Sequence, residues 1–566
     1  MRFLIAAALF VVSIVVLLLG VAERTIWAPP LAYNQTLEID TAKPLVLVPN
    51  EVLSQHPGTP TISVQGAKNA FVASAREADI LAWIGNSGYA TVGFDEKANA
   101  LNFRAIEGSE NLESPKGSDL WRGQISKEES ASLRASTAEE GAVLVASDGV
   151  RAAPSQIQII WPIAHDLFLS NLYLIIGSVI LLAAFVMNIL AYQHMRKSRG
   201  PRRRTPSAPK PPQYKFKRNK NTAPVRGRRS ARRAFLALPI AITVLATSAG
   251  CSSDSANSPS PSPSASAIEV APVALLQSQI KNILAEVSKV AADADLTSDK
   301  KVLTQRFIGP ALEQRTAHYL LRTRSTKIAA LPKIVDQPVS FSLPAATDSW
   351  PRTLMVVTDE KGDEALPQML VLQQETPRSK YMLWYNVRLM PGAKIPEVPA
   401  SETGAIPVEK DSLFLKLAPQ DIASCYGDVI NKGAASLSFG LFEVADDEFY
   451  RQVSESQKSQ VKNLSTGKIT FSHSLGNKNV ISLATSTAGA LVAVYMKDTY
   501  KIKPKTRGSA VAVSGQEKIM LGADGSTRGV RSIYGDMLLF YVPALSDSEK
   551  IRLLGVSQGL ISVRSL

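Results

Sequence analysis

LFLSNLYLIIGSVILLAAFVMNILAYQHMRKSR, residues 167–199, decides the organisation of this 566-residue chain. From Leu167 to Tyr192 the apolar run is broken only by Ser170, Asn171, Ser178 and Asn188, and it ends in His194, Arg196, Lys197 and Arg199. As a helix rising about 1.5 Å per residue, such a run exceeds the roughly 30 Å of a hydrocarbon core. The basic flank is a stop-transfer pattern, so 167–192 is expected to span a membrane. A buried core helix would need a large surrounding domain, whereas a Pro-rich coil follows. Upstream, Phe3 to Ala22 is apolar apart from Ser13 and Gly20. Its length favours an uncleaved anchor over residues 1–22, with a cleaved secretory signal ending at Gly20, Val21, Ala22 as the alternative.

Downstream of the span the composition changes. Arg196 to Arg233 holds 16 Lys and Arg and no Asp or Glu, more than the whole net charge of +14, so the rest of the chain is slightly acidic. Six Pro and no apolar periodicity make residues 193–233 an expected disordered loop, whose natural partner is the anionic inner leaflet. Nucleic acid is disfavoured, because Tyr214 and Phe216 are too few for a stacking platform. A third apolar stretch, 234–250, contains Pro239 and is marginal for a span. It ends in Thr247, Ser248, Ala249, Gly250, Cys251, which resembles a bacterial lipobox. The resemblance implies lipid attachment at Cys251, although Ser248 stands where lipoboxes carry an aliphatic residue; a free cysteine at a helix end is the alternative. Before it, Arg232, Arg233, Ala234, Phe235, Leu236 looks like the twin-arginine export signature, with ordinary positive-inside charge as the competitor. Two ordinary spans and a twin-arginine third are similar to actinobacterial Rieske proteins. The exported part here lacks their paired Cys and His ligands, so the likeness implies an export route and no cofactor.

The positive-inside rule puts residues 23–166 and 252–566 on the outer face of the cytoplasmic membrane. Region 23–166 reads as short strands: Leu45 to Val48, Thr61 to Val64, Ile80 to Ile84, Ala90 to Phe94, Ala142 to Val145 and Gln156 to Trp161. A β-sandwich is expected, with Ala67 to Ala78 as a possible helix and Trp83, Trp121 and Trp161 as core or, less simply, a carbohydrate platform. After the Ser/Pro linker 251–267, residues 268–403 and 404–566 run one programme twice. Leu276, Ile280, Ile283, Val287 and Val290 recur at helical spacing, Ser298 and Pro310 can begin further helices, and strands follow at Val339 to Leu343, Thr353 to Thr358, Gln368 to Gln373 and Tyr381 to Leu389. The second pass opens with helices at Pro419 to Ile430 and Asp446 to Lys462. It continues with strands at Ile469 to His473, Ala490 to Lys497, Ser509 to Val513, Lys518 to Leu521, Met537 to Val542 and Leu560 to Val563. The fold class is thus a multidomain membrane protein: a β-sandwich-like exterior domain, an α+β exterior region of two modules, and three hydrophobic helices. Each α+β module resembles the nuclear transport factor 2-like (cystatin-like) cone, in which helices pack on a curved sheet. That likeness implies a hollow that hosts catalysis in some members and docking in others. The whole chain also resembles uncharacterised actinobacterial membrane and lipoprotein-like envelope proteins, some labelled glycosyltransferases.

Catalytic patterns fail individually. Gly555 to Gly559 matches GxSxG, but no acid and then His follow before the terminus. Asp293 and Asp295 match the DxD of metal-dependent glycosyltransferases, yet sit at an expected helix end with no nucleotide-binding βαβ unit around them, and read as solvated turn residues. His318 and His473 have no Cys or carboxylate beside them, Cys425 reads as a buried apolar residue, and Tyr381, Trp384 and Tyr385 read as core. No catalytic, cofactor-binding or metal-ligating residue is assigned. The expected function is a non-catalytic cell-envelope binding or assembly factor, its partner an envelope protein or cell-wall glycan. A wall-directed glycan hydrolase or glycosyltransferase is the alternative.

Overall fold

The computed structural model describes residues 2–28, 30, 32–109, 113–138, 140–163, 168–198, 272–359 and 366–566. The basic loop, the third apolar stretch with Arg232, Arg233, Phe235 and Leu236, Cys251 and the Ser/Pro linker lie outside the described residues. Ten α-helices are described: α1 (Arg2–Thr25), α2 (Asn50–Leu53), α3 (Glu77–Ile84), α4 (Phe168–Ser198), α5 (Gln277–Thr297), α6 (Lys300–Leu303), α7 (Gly309–Arg324), α8 (Ile422–Lys432), α9 (Glu448–Asn463) and α10 (Gly515–Leu521). The chain divides into two compact units, Met1–Ala28 with Asp166–Ile268, and Pro29–His165 with Glu269–Leu566.

In the first unit α1 and α4 form an antiparallel hairpin. Among the described residues they are the two helices long and apolar enough to cross a membrane, with mean hydropathies of 3.1 and 2.6. The residues that interrupt their apolar runs include those that join them. Ala6, Ser13 and Gly20 are the buried positions of α1, and Ser170, Gly177, Ala184 and Ala191 those of α4, each set spaced by seven. A seven-residue repeat keeps one face toward a partner, and small residues let the backbones approach. A Cβ on Gly177 would lie 2.8 Å from Leu17 Cγ, and one on Gly20 3.0 Å from Leu174 Cγ. Ser170 Oγ donates to the Gly20 carbonyl at 3.0 Å, and Arg24 to Asn171 Oδ1 at 2.8 Å. The large side chains, such as Leu18, Val179 and Phe185, face outward. Helix α4 runs on through Ser198, so His194, Arg196 and Lys197 of the basic flank are helical.

The second unit begins with β1 (Ala32–Glu38), β2 (Leu45–Val48), β3 (Thr61–Arg76), β4 (Tyr89–Asp95), β5 (Ala100–Ile106), β6 (Gly123–Arg134), β7 (Gly141–Ala146) and β8 (Gln156–Pro162). The expected two-sheet sandwich is not what forms. These strands make a single sheet in the order β1-β8-β3-β7-β2-β4-β5, with β6 also on β3. The 16-residue β3 pairs with β8 through one half, β7 through the other and β6 along both, which keeps the strands in one ladder. The sheet nearly closes where Gln35 of β1 donates to the Asn99 carbonyl and Asn99 donates to Tyr33, joining the edges at the β4–β5 turn. Its interior holds Val46, Val64, Val72, Val145, Ile159 and Trp161. Outside, Leu45, Leu47, Phe71 and Leu144 are buried against Ile80, Trp83, Ile84 and Trp121. Ile80 to Ile84 is therefore helical rather than extended, its apolar residues spaced i, i+3, i+4, and the possible helix at Ala67 to Ala78 is strand β3 through Arg76, with only Glu77 and Ala78 in α3. The tryptophans are core: Trp83 and Trp121 pack with their rings tilted at 55° and centroids 5.8 Å apart, and Trp161 donates to the Leu53 carbonyl at 2.8 Å.

Helices precede strands in both later halves. After α5–α7 comes an antiparallel sheet, β9 (Val339–Pro344), β10 (Arg352–Thr358), β11 (Gln368–Gln374) and β12 (Met382–Arg388), in the order β12-β11-β10-β9. After α8 and α9 come β13 (Gly467–Leu475), β14 (Ile481–Ala484), β15 (Ala490–Pro504), β16 (Val511–Ala512), β17 (Gly525–Ser526), β18 (Val530–Val542) and β19 (Arg552–Ser565). Their sheet runs β13-β15-β18-β19, with β14 on β15, and β16 pairs β17 separately. Lys518 to Leu521, expected as a strand, lies in α10, and Ser298 closes α5 with φ 54° while Asp299 caps α6. Alternation along β15 and β18 divides two cores. Leu491, Ala493, Tyr495, Met537 and Leu539 pack with Leu372, Leu383 and Tyr385 of the other sheet, whereas Val492, Val494, Leu538 and Phe540 pack with Ile422, Tyr426 and Phe449 of α8 and α9.

Buried charge joins the nearly closed sheet to the rest of this unit. Asp119 receives both Arg306 terminal nitrogens, at 2.5 and 3.0 Å, and the Tyr381 amide at 2.7 Å. Asp79 takes a fork from Arg76 and, at 2.8 Å, Arg352, which is 1% exposed. Arg378 donates to the carbonyls of Trp83 and Ile84, both at 2.8 Å, closing the C-terminal end of α3. Removing one member of such a set strands another buried charge, so these contacts fix mutual position.

Candidate functional site

Strands β12 and β19 meet at their edges through a bridge at Leu389 and Gly555, and the Met390 amide donates to the Leu554 carbonyl at 2.9 Å. Helix α7 lies across both strands. It starts at Gly309, with φ +57°, where a Cβ would come within 2.4 Å of the Trp384 ring, and Pro310 follows in the first turn. Gln314 donates to the Ser557 carbonyl at 3.2 Å, and Ser557 Oγ accepts from the Arg388 amide at 3.1 Å. Between these elements lies a cleft of about 400 Å³. Its polar lining includes Gln314, His318, Asn386, Arg388, Gln516 and Gln558, and no Asp or Glu borders it.

The cationic groups differ in commitment. Arg315 forks onto Asp295 at 2.9 and 2.7 Å, and Tyr319 donates to the same carboxylate at 2.6 Å. The second acid of the DxD pattern is thus a tie between α5 and α7, not a solvated turn residue. Arg388 has no acidic partner among the described residues. Burial holds His318 below the ordinary imidazole value; Arg322 and Arg315 reinforce this, and the Ala329 carbonyl partly offsets it. His318 Nδ1 and Asn386 Oδ1 are buried without a hydrogen-bond partner.

A second polar group lies on the face of the last sheet toward α8 and α9. His473 sits directly opposite Asp498, with Nε2 3.2 Å from Oδ1, and Asp536 is Asp498's diagonal neighbour. The His473 and Asp498 side chains are 0% exposed, and neither Asp498 nor Asp536 has a well-formed hydrogen bond to either oxygen. Gly427 of α8 makes room, since a Cβ there would be 2.4 Å from His473 Cβ. Burial pushes the Asp498 carboxyl up to about 7 and lowers His473 to about 4. Burial, and then the neighbouring Asp498, hold Asp536 well above the carboxylate range. At neutral pH the imidazole is uncharged and Asp536 is held toward its protonated form while Asp498 is near its midpoint, so the site carries little of the charge that would be costly to desolvate. Gln558, opposite Asp536 in the β18–β19 ladder, also lines the cleft.

The remaining sequence candidates resolve structurally. Gly555 to Gly559 lies inside β19, where the glycines answer close approaches: a Cβ on Gly555 would be 2.5 Å from the Arg388 carbonyl, and one on Gly559 2.6 Å from Gln314. Tyr381 and Tyr385 are fully buried, and Trp384 is half-buried. Cys425 is half-buried against the α8 core and free. Sequence reasoning missed Asp498, Asp536, Asn386, Arg388 and Gln558. For the two acids a signal existed, because Asp is rare in strands and each continues an inward alternation, 492, 494, 496, 498 and 536, 538, 540.

No curated protein and no solved structure matches the chain. Residues 272–565, which carry both the cleft and the acid pair, match a domain of unknown function, DUF8094, and since that match covers more than half of its length the chain belongs to the DUF8094 family.

Proposed function

We propose that this chain is a non-catalytic binding or assembly factor of the cell envelope, displayed on the outer face of the cytoplasmic membrane. One observation carries the reading: residues 30–163 and 272–566 make one compact body although a long apolar and basic stretch separates them in sequence. The Asp119–Arg306 and Asp79–Arg352 pairs form only when both regions share a compartment. A chain that leaves that compartment through α4 must return before residue 272, and Ala234 to Ala249 is the stretch apolar enough to bring it back. The positive-inside rule then assigns Arg196 to Arg233 to the cytoplasm, facing anionic lipid, and lipid on Cys251 would add a further tether. The cleft supports binding, with hydrogen-bonding side chains above a partly apolar floor. A wall-directed hydrolase would need two carboxylates flanking an accessible bond, whereas Asp498 and Asp536 are sealed under α8 and α9.

Labelling of intact spheroplasts with a membrane-impermeant maleimide tests the arrangement. In a Cys425→Ser background, with that parent chain as the baseline, Lys97→Cys and Leu437→Cys, both at exposed sites, are expected to label, and Lys210→Cys only after lysis. Labelling of residues 97 and 437 on opposite sides, or of both only after lysis, would sink the proposal.

A further inference from the structure

A second, shallower groove of about 290 Å³ opens where the turn between β11 and β12 and the loop before β14 meet the start of α7. Strand alternation turns Met382 and Trp384 toward it, while Leu383 and Tyr385 are buried on the other face. With Ile308 these two make an apolar floor, and Gly309 lies against the Trp384 ring and holds it in place. Three polar groups stand open around that floor. The Trp384 indole N–H has no hydrogen-bond partner among the described residues and is not sealed from solvent. The Asn479 amide is oriented from behind, since it donates to Gln373 Oε1 at 3.1 Å and Gln373 donates to Thr353 at 3.4 Å, which leaves Asn479 Oδ1 as an open acceptor. Glu375 is exposed, has no ion pair among the described residues and is a second acceptor. The surrounding charge selects among ligands. The turn carries Arg378 and Lys380 beside Glu375, so a cation gains no net attraction there, and a carboxylate on the wall opposes an anion. An uncharged ligand must then bring hydroxyls that donate to Asn479 and Glu375 and accept from Trp384, together with an apolar face to lie on the floor. A pyranose ring has both.

We infer that this groove binds one pyranose ring of a neutral glycan, stacked on Trp384 with hydroxyls on Asn479 Oδ1 and Glu375. The volume is at the small end for ligand sites and the groove is open on one side, which suits a single ring of a chain that continues into solvent. The inference rests on the binding reading and gives it a ligand class. Its test is separable from that of location: a chain labelled on the wrong side would still carry this site.

The experiment is calorimetric titration of the purified full chain, held in phosphatidylcholine nanodiscs because these carry no sugar headgroup, with maltotriose, triacetylchitotriose, D-glucuronate and trilysine. At least one of the two neutral trisaccharides is expected to bind, with glucuronate and trilysine each at least about tenfold weaker. Trp384→Ala, which removes the stacking surface, is expected to weaken binding by about tenfold. Because Trp384 also packs on Gly309, Glu375→Lys is the second variant: the site is exposed, so the melting temperature should stay at the wild-type value, while loss of the acceptor should weaken binding by about tenfold. Failure of both trisaccharides to bind the wild type, tighter binding of trilysine, which would mark a site for basic peptide, or undiminished binding by either variant would overturn the inference.

Discussion

Replacing Asp536 by Asn is the sharpest probe of the acid pair. An acid whose folded pKa is raised holds a proton in the native state that the unfolded chain has released, so its contribution to stability is complete below the unfolded value and is lost as pH rises through the folded value. For Asp498 the rise from 3.8 to about 7 corresponds to about 4 kcal/mol, lost between about pH 4 and 7. Asp536 is raised in the same direction, by burial and then by Asp498, so its contribution has the same sign. His473, lowered from 6.5 to about 4, has the opposite sign, its stability present above 6.5 and lost as pH falls toward 4. Asn reproduces the shape and donor capacity of the neutral acid without its titration. Relative to wild type, Asp536→Asn should therefore gain about 1.4 kcal/mol for each pH unit over which wild-type Asp536 is ionised in the unfolded chain and protonated in the folded one. For Asp498→Asn the gain should level off near pH 7. The assay is the melting temperature of the full chain in detergent at unit pH steps, where a gap of this size amounts to several degrees. A wild-type-to-variant gap that does not change with pH, or that moves against the variant as pH rises, would refute the reasoning.

Other expectations follow from single contacts. Asp79→Ala leaves Arg76 and Arg352 facing each other while buried, and should cost about 3–5 kcal/mol, seen as a lower melting temperature. Gly309→Ala places a Cβ into Trp384 at a positive φ and should cost roughly 1–3 kcal/mol by the same measurement. Gly177→Leu cannot fit beside Leu17, so it should separate α1 from α4, read as loss of a disulfide engineered between the two helices. If a signal peptidase cuts before Cys251, a C-terminally tagged chain should run as a shortened fragment, lost in Cys251→Ala. The two pieces should then co-purify through Asp119–Arg306 and Asp79–Arg352; separation without denaturant would count against the joined body.

Much of the local structure was legible because periodicity reports which face is buried. The spacing of Ile280, Ile283 and Val287 marks α5, Pro310 marks the start of α7, and the runs at Leu45 to Val48 and Ala142 to Val145 mark strands buried on both faces. Short apolar runs carry too few residues to separate periods of 2 and 3.6, so Ile80 to Ile84 and Lys518 to Leu521 were misread. Ser13, Gly20 and Ser170 stand out in sequence as breaks in apolar runs, yet their meaning as a contact face depends on which helix lies opposite.

The sequence by itself determined the two long apolar helices, the basic stretch after the second and the order of helices and strands in each later half, since all of these rest on hydropathy and local spacing. Tertiary packing settles that the first sheet curls toward closure, that residues 30–163 and 272–566 form one body, and that His473, Asp498 and Asp536 share one buried site. Those outcomes depend on which distant strands pair and in what register. A strand's own pattern states which face must be buried, but not what buries it.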